Sequence, residues 1–138
     1  MSRVANNVRH RSRIYAFFDM LGDNQEVEEE SNLDTATAVI GSGIAYALRV
    51  FQDFVEFGMD EGLAPEDAIQ WTVGTFSGLL SLIDGLHTNV DDLIAEVASP
   101  DGTTEKGLKM LADQGASETL KAALQVTADR CRELGSIK

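Results

Sequence analysis

Val97–Leu108 reads VASPDGTTEKGL, and its residues stop one helix and start another. Pro100 cannot continue a helix and pushes Ser99 toward an extended conformation. Gly102 permits a backbone shape closed to other residues. Thr103 and Thr104 open the next apolar-periodic run, a position at which hydroxyls commonly cap a helix. Such a helix start gathers unpaired N–H groups, partial positive charge and two hydroxyls at one point, which suits a carboxylate or a phosphate. The same residues also describe an ordinary capped turn, and spacing alone does not separate the two readings.

The segments on either side carry a helical period. Upstream, Val90, Leu93, Ile94 and Val97 share one face of a short helix over Asn89–Ala98, and are expected to point inward. Downstream, Thr103–Gln114 carries Leu108 and Leu111 and stops at Gly115, and Ala116–Leu134 carries Leu120, Leu124, Thr127 and Cys131 before Gly135. Further back, Pro65–Leu86 places Ile69, Val73, Phe76, Leu80 and Ile83 at helical spacing, with small residues Gly74, Ser77, Gly78 and Ser81 on another face suited to close interior packing. Pro65 near the first turn and the acids Glu66 and Asp67 agree with a helix start there.

The strongest helix spans Ile44–Met59. Ile44, Leu48, Phe51 and Val55 form one stripe, and Tyr46, Val50, Phe54 and Phe57 a second. A helix apolar on two sides needs two neighbours, so it lies deep or at a subunit contact. Gly58 and Gly62 mark its end. Ahead of it Ser31-Asn32 caps a short run, LDTATAVI, that leads into Gly41-Ser42-Gly43. The first helix covers Val8–Leu21 and ends at Gly22, a good position for a left-handed cap. Asp23–Glu30 is a polar acidic connector, most simply a solvated link with a short extended piece around Val27. The expected fold is all-α, a bundle of about six or seven helices, with residues 1–30 as an N-terminal helix and connector and 31–138 as the main domain.

Composition narrows the function. The 138 residues suffice for one domain with a core. The net charge of −12 is uneven: Arg3, Arg9, Arg11 and Arg13 are the only charges before Asp19, and all 23 acids follow, against the remaining seven of the 11 bases. An acidic body of this kind repels nucleic-acid phosphate and anionic membrane, so neither is expected as a partner. No uninterrupted apolar run approaches the roughly 20 residues of a membrane span, and RIYAFFDML is too short, and too soon followed by acid, for a signal segment. One cysteine, Cys131, excludes an internal disulfide framework and a cysteine-based metal site; a cytoplasmic location is the default expectation. His87 has no second histidine nearby, Asp91-Asp92 point about 100° apart at a helix start, and Glu28–Glu30 read as solvation, so no metal site and no nucleophilic triad is expected.

TATAVIGSGIAY invites a dinucleotide-binding reading, with ATAVI as strand and GSG as phosphate turn. The pattern fails at the third glycine, where Tyr46 stands, and no repeat of βα units follows. Two glycines near a helix start instead mark a place where another helix or a flat ligand ring comes close to the backbone.

Two motifs in combination go further. Gly41-Ser42-Gly43-Ile44-Ala45-Tyr46 resembles the G-S-G-P-A-Y signature of the pyrroline-5-carboxylate reductases, and Ser99-Pro100-Asp101-Gly102-Thr103-Thr104 resembles that family's S-P-G-G-T-T signature. GMDEGLAPEDAIQ between them is similar to the family's helix–turn–helix, and ADQGASETLKAALQVTADRCRELG to its final helices. The resemblance implies a helical dimerisation domain that interlocks with a second copy, beside a Rossmann domain that binds NADPH or NADH. It also implies hydride transfer to the C=N of pyrroline-5-carboxylate, giving L-proline. Carried over by position, Ser99, Gly102, Thr103 and Thr104 would hold the substrate carboxylate or ring. Gly41, Ser42 and Gly43 would border the nicotinamide, with Tyr46 behind them.

The departures shape the expectation. Residues before Tyr15 are too few for a cofactor domain, so this chain alone is expected to bind no nicotinamide and to be inactive by itself, with a Rossmann domain missing or supplied by a separate subunit. Ile44 replaces the usual proline. Asp101 replaces the first glycine of the loop and would oppose an anionic substrate by roughly 1–4 kcal/mol at about 4 Å. Two further readings stand beside the reductase domain: a non-catalytic oligomerisation or interaction module, and a small-anion binding domain that uses the Thr103-Thr104 helix start.

Overall fold

The computed structural model describes residues 2–22, 26–83 and 89–136. Among them seven α-helices follow one another: α1 (Ser2–Phe18), α2 (Asn32–Ala36), α3 (Gly43–Asp60), α4 (Pro65–Leu82), α5 (Val90–Val97), α6 (Thr103–Asp113) and α7 (Ala116–Ser136). A π-helical turn, Thr37–Ser42, joins α2 to α3. No strand occurs among the described residues, as the all-α expectation requires. Asp84, His87 and the first part of the acidic connector lie outside the described residues.

The chain divides into two compact units, Met1–Leu33 and Asp34–Lys138. In the first, α1 begins six residues earlier than the apolar period alone suggests and ends at Phe18, ahead of Gly22. Gly22 has φ +151°, so it does not form the expected left-handed helical cap. The Leu21 and Gly22 N–H groups instead donate to the Phe18 carbonyl at 2.8 and 3.2 Å. The connector is more than a solvated link: Glu26 pairs with Arg11 and accepts a hydrogen bond from the Tyr15 hydroxyl at 2.8 Å.

In the second unit α3 and α4 form an antiparallel hairpin. Gly62, at φ +96°, makes the reversal that other residues resist, and the Leu63 N–H closes on the Gly58 carbonyl at 2.9 Å. Gly58 does not end the helix, as the sequence suggested; it lies inside α3 and is buried. A Cβ there would stand 3.1 Å from Leu63 Cδ1 and 3.3 Å from Ala68 Cβ, so its smallness lets α4 approach. Phe76 receives Phe51 and Phe54 edge-on, with ring centroids 5.3 and 5.6 Å away. α7 packs on the π-helical turn and follows α6 after a tight reversal at Gly115, φ +66°.

The buried hydrophobic core of the described chain consists of Ala38, Ala68 and Ala128. Large apolar side chains face outward: Ile44, Leu48, Phe57, Trp71 and Leu80 are each 60% or more exposed. Val90, Ile94 and Val97 of α5, expected inward, are exposed as well. The small face of α4 is open at its glycines among the described residues, since a Cβ at Gly74 or Gly78 would meet no atom within 4 Å. The period located these stripes, but beyond the contacts of Phe51 and Phe54 with Phe76 their large side chains remain largely exposed. α2, the π turn and α3 run as one helix, Asn32–Asp60, long and apolar enough at mean hydropathy 1.2 to cross a membrane by length and composition alone. The sequence places the helix start at Ile44, after Gly41-Ser42-Gly43, whereas the π turn carries one helix through these residues.

Candidate functional site

The loop between α5 and α6 is built from local chemistry. Asn89 caps α5: its Oδ1 accepts the Asp91 N–H at 3.1 Å and its Nδ2 donates to Asp92 at 2.8 Å. After Ala98 the chain turns through Pro100, and the Gly102 N–H returns to the Ser99 carbonyl at 2.9 Å. A Cβ on Gly102 would lie 2.7 Å from Ser99 Oγ and 2.8 Å from Ser99 O. Gly102 is therefore demanded by close approach, at φ −78°, and not by an unusual dihedral. The unusual dihedral belongs to its neighbour: Asp101 has φ +59°, the one positive-φ residue other than glycine among the described residues. The left-handed region strains a side chain by roughly 1–2 kcal/mol, somewhat less for Asp.

The threonines do not cap α6. Gly102 is the cap residue and no side chain bonds to the helix start. Thr103 and Thr104 are the first two helical residues, both exposed, with N–H groups that have no intrahelical acceptor. Glu105 reaches back past the cap: its carboxylate accepts the N–H of Asp101, the residue before Gly102, at 2.7 Å. The site therefore offers free N–H groups and two hydroxyls to an anion, but two carboxylates, Asp101 and Glu105, stand beside it.

The second predicted group occupies the π-helical turn. Gly41 and Ser42 close it and Gly43 begins α3, its N–H donating to the carbonyl of Ala38, five residues back. π turns widen a helix by one residue and recur at functional positions. Added Cβ atoms at Gly41 and Gly43 would make only ordinary contacts, at 3.9 and 3.5 Å, so nothing among the described residues demands glycine there. Beside them lies an apolar cavity of about 210 Å³ lined by Val39, Gly43, Tyr46, Ala47, Leu120 and Leu124. The Tyr46 hydroxyl lies 2.5 Å from Thr127 Oγ1 on α7, a contact the sequence gave no means to find across 81 residues.

The cavity beside Gly43 and the groove beside Asp101 share no residue. No cluster of three metal-ligating side chains occurs among the described residues. Arg49, exposed on α3, hydrogen-bonds Asp53 and pairs with Glu56, which raises its pKa above the ordinary value.

Comparison with known proteins gives one consistent result. The sequence model of the family described as pyrroline-5-carboxylate reductase dimerisation matches residues 30–134. The chain is 35% identical over 115 residues to a pyrroline-5-carboxylate reductase of Corynebacterium melassecola, covering 83% of this chain and 42% of that protein. It is 33% identical over 119 residues to pyrroline-5-carboxylate reductase 2 of Bacillus subtilis, covering 86% and 42%. Among solved structures, a Plasmodium falciparum pyrroline carboxylate reductase with NADP bound superposes with TM-score 0.85 at 25% identity, over 91% of this chain and 49% of that one. A Coxiella burnetii pyrroline-5-carboxylate reductase superposes with TM-score 0.73 at 30% identity, over 78% and 40%. The chain thus spans less than half the length of the relatives it matches.

Proposed function

The chain belongs to the pyrroline-5-carboxylate reductase dimerisation family, and from that premise we propose that it pairs with a second copy of itself to form the helical half of a proline-forming reductase. The observation that carries the pairing is the exposed apolar surface of α3 and α4, where Leu48 and Phe57 stand 60% and 67% exposed. Each such side chain gains about 1.5–3 kcal/mol when fully covered, and a second copy presents the same stripes in return.

In this proposal Ser99, Gly102, Thr103 and Thr104 hold the carboxylate of pyrroline-5-carboxylate through the N–H groups and hydroxyls at the start of α6. Gly41, Ser42 and Gly43 border the nicotinamide of NADPH or NADH, which when bound supplies hydride to the C=N. The fit of this chain to that cofactor is partial. The uncluttered backbone of Gly43 beside an apolar cavity suits the flat ring, whereas no glycine turn between a strand and a helix is present among the described residues to cradle phosphates. We therefore propose that these 138 residues bind no nicotinamide alone and that the phosphate-binding part comes from a Rossmann domain. A cytoplasmic setting, with Cys131 kept reduced, belongs to the same proposal. Calorimetric titration with proline tests the substrate site: binding that is lost in Thr104→Val supports it, and equal heats from both proteins remove it.

One observation favours a second reading, a non-catalytic oligomerisation module. Asp101 and Glu105 place two carboxylates at the helix start, where the proposed ligand is itself an anion. Dimerisation without proline binding would select that reading.

A further inference from the structure

We infer that Tyr46 and Thr127 are positioning residues that fix where the π turn sits in the helix, and through it the backbone of Gly41–Gly43. A π turn is one surplus residue in an α-helix. The surplus can move along the helix when N–H groups exchange acceptors between five and four residues back, so a π turn held at one place needs an anchor.

The anchor is on α7. The Thr127 hydroxyl donates to the Ala123 carbonyl at 3.0 Å, so its proton is committed and its lone pairs are free. The Tyr46 hydroxyl, 2.5 Å away, is then the donor to Thr127. Tyr46 lies three residues beyond Gly43, one helical turn past the surplus residue. On the other side of the turn Asp34 stands 4.0 Å from Arg132, also on α7. The rod is thus tied to one helix before and after its irregular turn. Between the ties the contact is tight: Ala38 in the turn is 1% exposed and Ala128, next to Thr127, 5%. The consequence for a ligand rests on the proposed role of Gly41–Gly43; the pinning of the turn does not.

The test is the hydrogen-bond register of Gly43 in the full chain, read by NMR as the coupling across the hydrogen bond from its amide nitrogen to the accepting carbonyl carbon. Unaltered protein couples Gly43 to Ala38. In Tyr46→Phe and in Thr127→Val the coupling to Ala38 is lost or moves to Val39, and in Thr127→Ser, which keeps the hydroxyl, it remains on Ala38. Folded Tyr46→Phe or Thr127→Val protein that keeps the Ala38 coupling overturns the inference, as does Thr127→Ser behaving like Thr127→Val. Should Tyr46→Phe not fold, the two Thr127 variants decide alone. Because no ligand is present, the result is independent of whether the proline titration succeeds.

Discussion

At the scale of single residues, Asp101 and Gly58 carry opposite lessons. Asp101 holds φ +59° with a side chain, where glycine is at ease. Asp101→Gly removes left-handed strain, partly offset by the greater freedom of an unfolded glycine, for a net gain of about 0.5 kcal/mol in urea unfolding. It also removes a negative charge beside the start of α6, and proline affinity rises by about fivefold if a like charge there costs about 1 kcal/mol. Unchanged affinity would count against the carboxylate site. At Gly58 an added methyl would meet Ala68 Cβ at 3.3 Å, a neighbour with no flexible end to move. Gly58→Ala therefore destabilises the protein by about 1–2 kcal/mol in the same measurement, despite alanine's better helix propensity. A stabilised variant would mean that the α3–α4 approach is looser than the structure has it.

At the scale of elements, α3 and α4 form a hairpin that covers its own turn and little else. Phe57, 67% exposed, contributes little to that hairpin, so Phe57→Asp leaves the helical circular dichroism of concentrated protein in place. The same change weakens self-association by at least about 2 kcal/mol, or 30-fold, because a charge then faces an apolar partner surface. Loss of helicity without loss of pairing would contradict this. Trp71 reports the same event. It is 60% exposed in the single chain and lines a groove with Phe54 and Leu63, so its emission shifts to the red as the protein is diluted through the dissociation range. Most of the elements were legible in sequence because Pro65, Gly62, Gly115 and the Asn89 cap punctuate a steady helical period. The π turn was not, because Gly41-Ser42-Gly43 reads locally as the start of a new helix, whereas the turn is continuous with α3 and packs against α7. The threonine-tipped loop was found through its motif, but its true cap, Gly102 with Glu105 reaching back, depends on a backbone approach that residue types alone do not reveal.

At the scale of the whole molecule the question is what replaces a missing core. In the second unit Ile44, Leu48, Phe57, Trp71 and Leu80 are each 60% or more exposed, more clustered apolar surface than a folded monomer ordinarily leaves open. Three buried alanines do not offset the conformational entropy of ordering the helices, so the proposed pairing makes folding and association one event, and the thermal midpoint is predicted to rise with protein concentration. Sequence showed which faces are apolar but not whether they meet a core or a partner, since period and composition are the same for a core helix and a dimer helix. The most direct measurement is sedimentation equilibrium at micromolar concentration: the account predicts a particle of twice the 14.9 kDa chain mass, and a stably folded particle of 14.9 kDa with a concentration-independent melting point would contradict it.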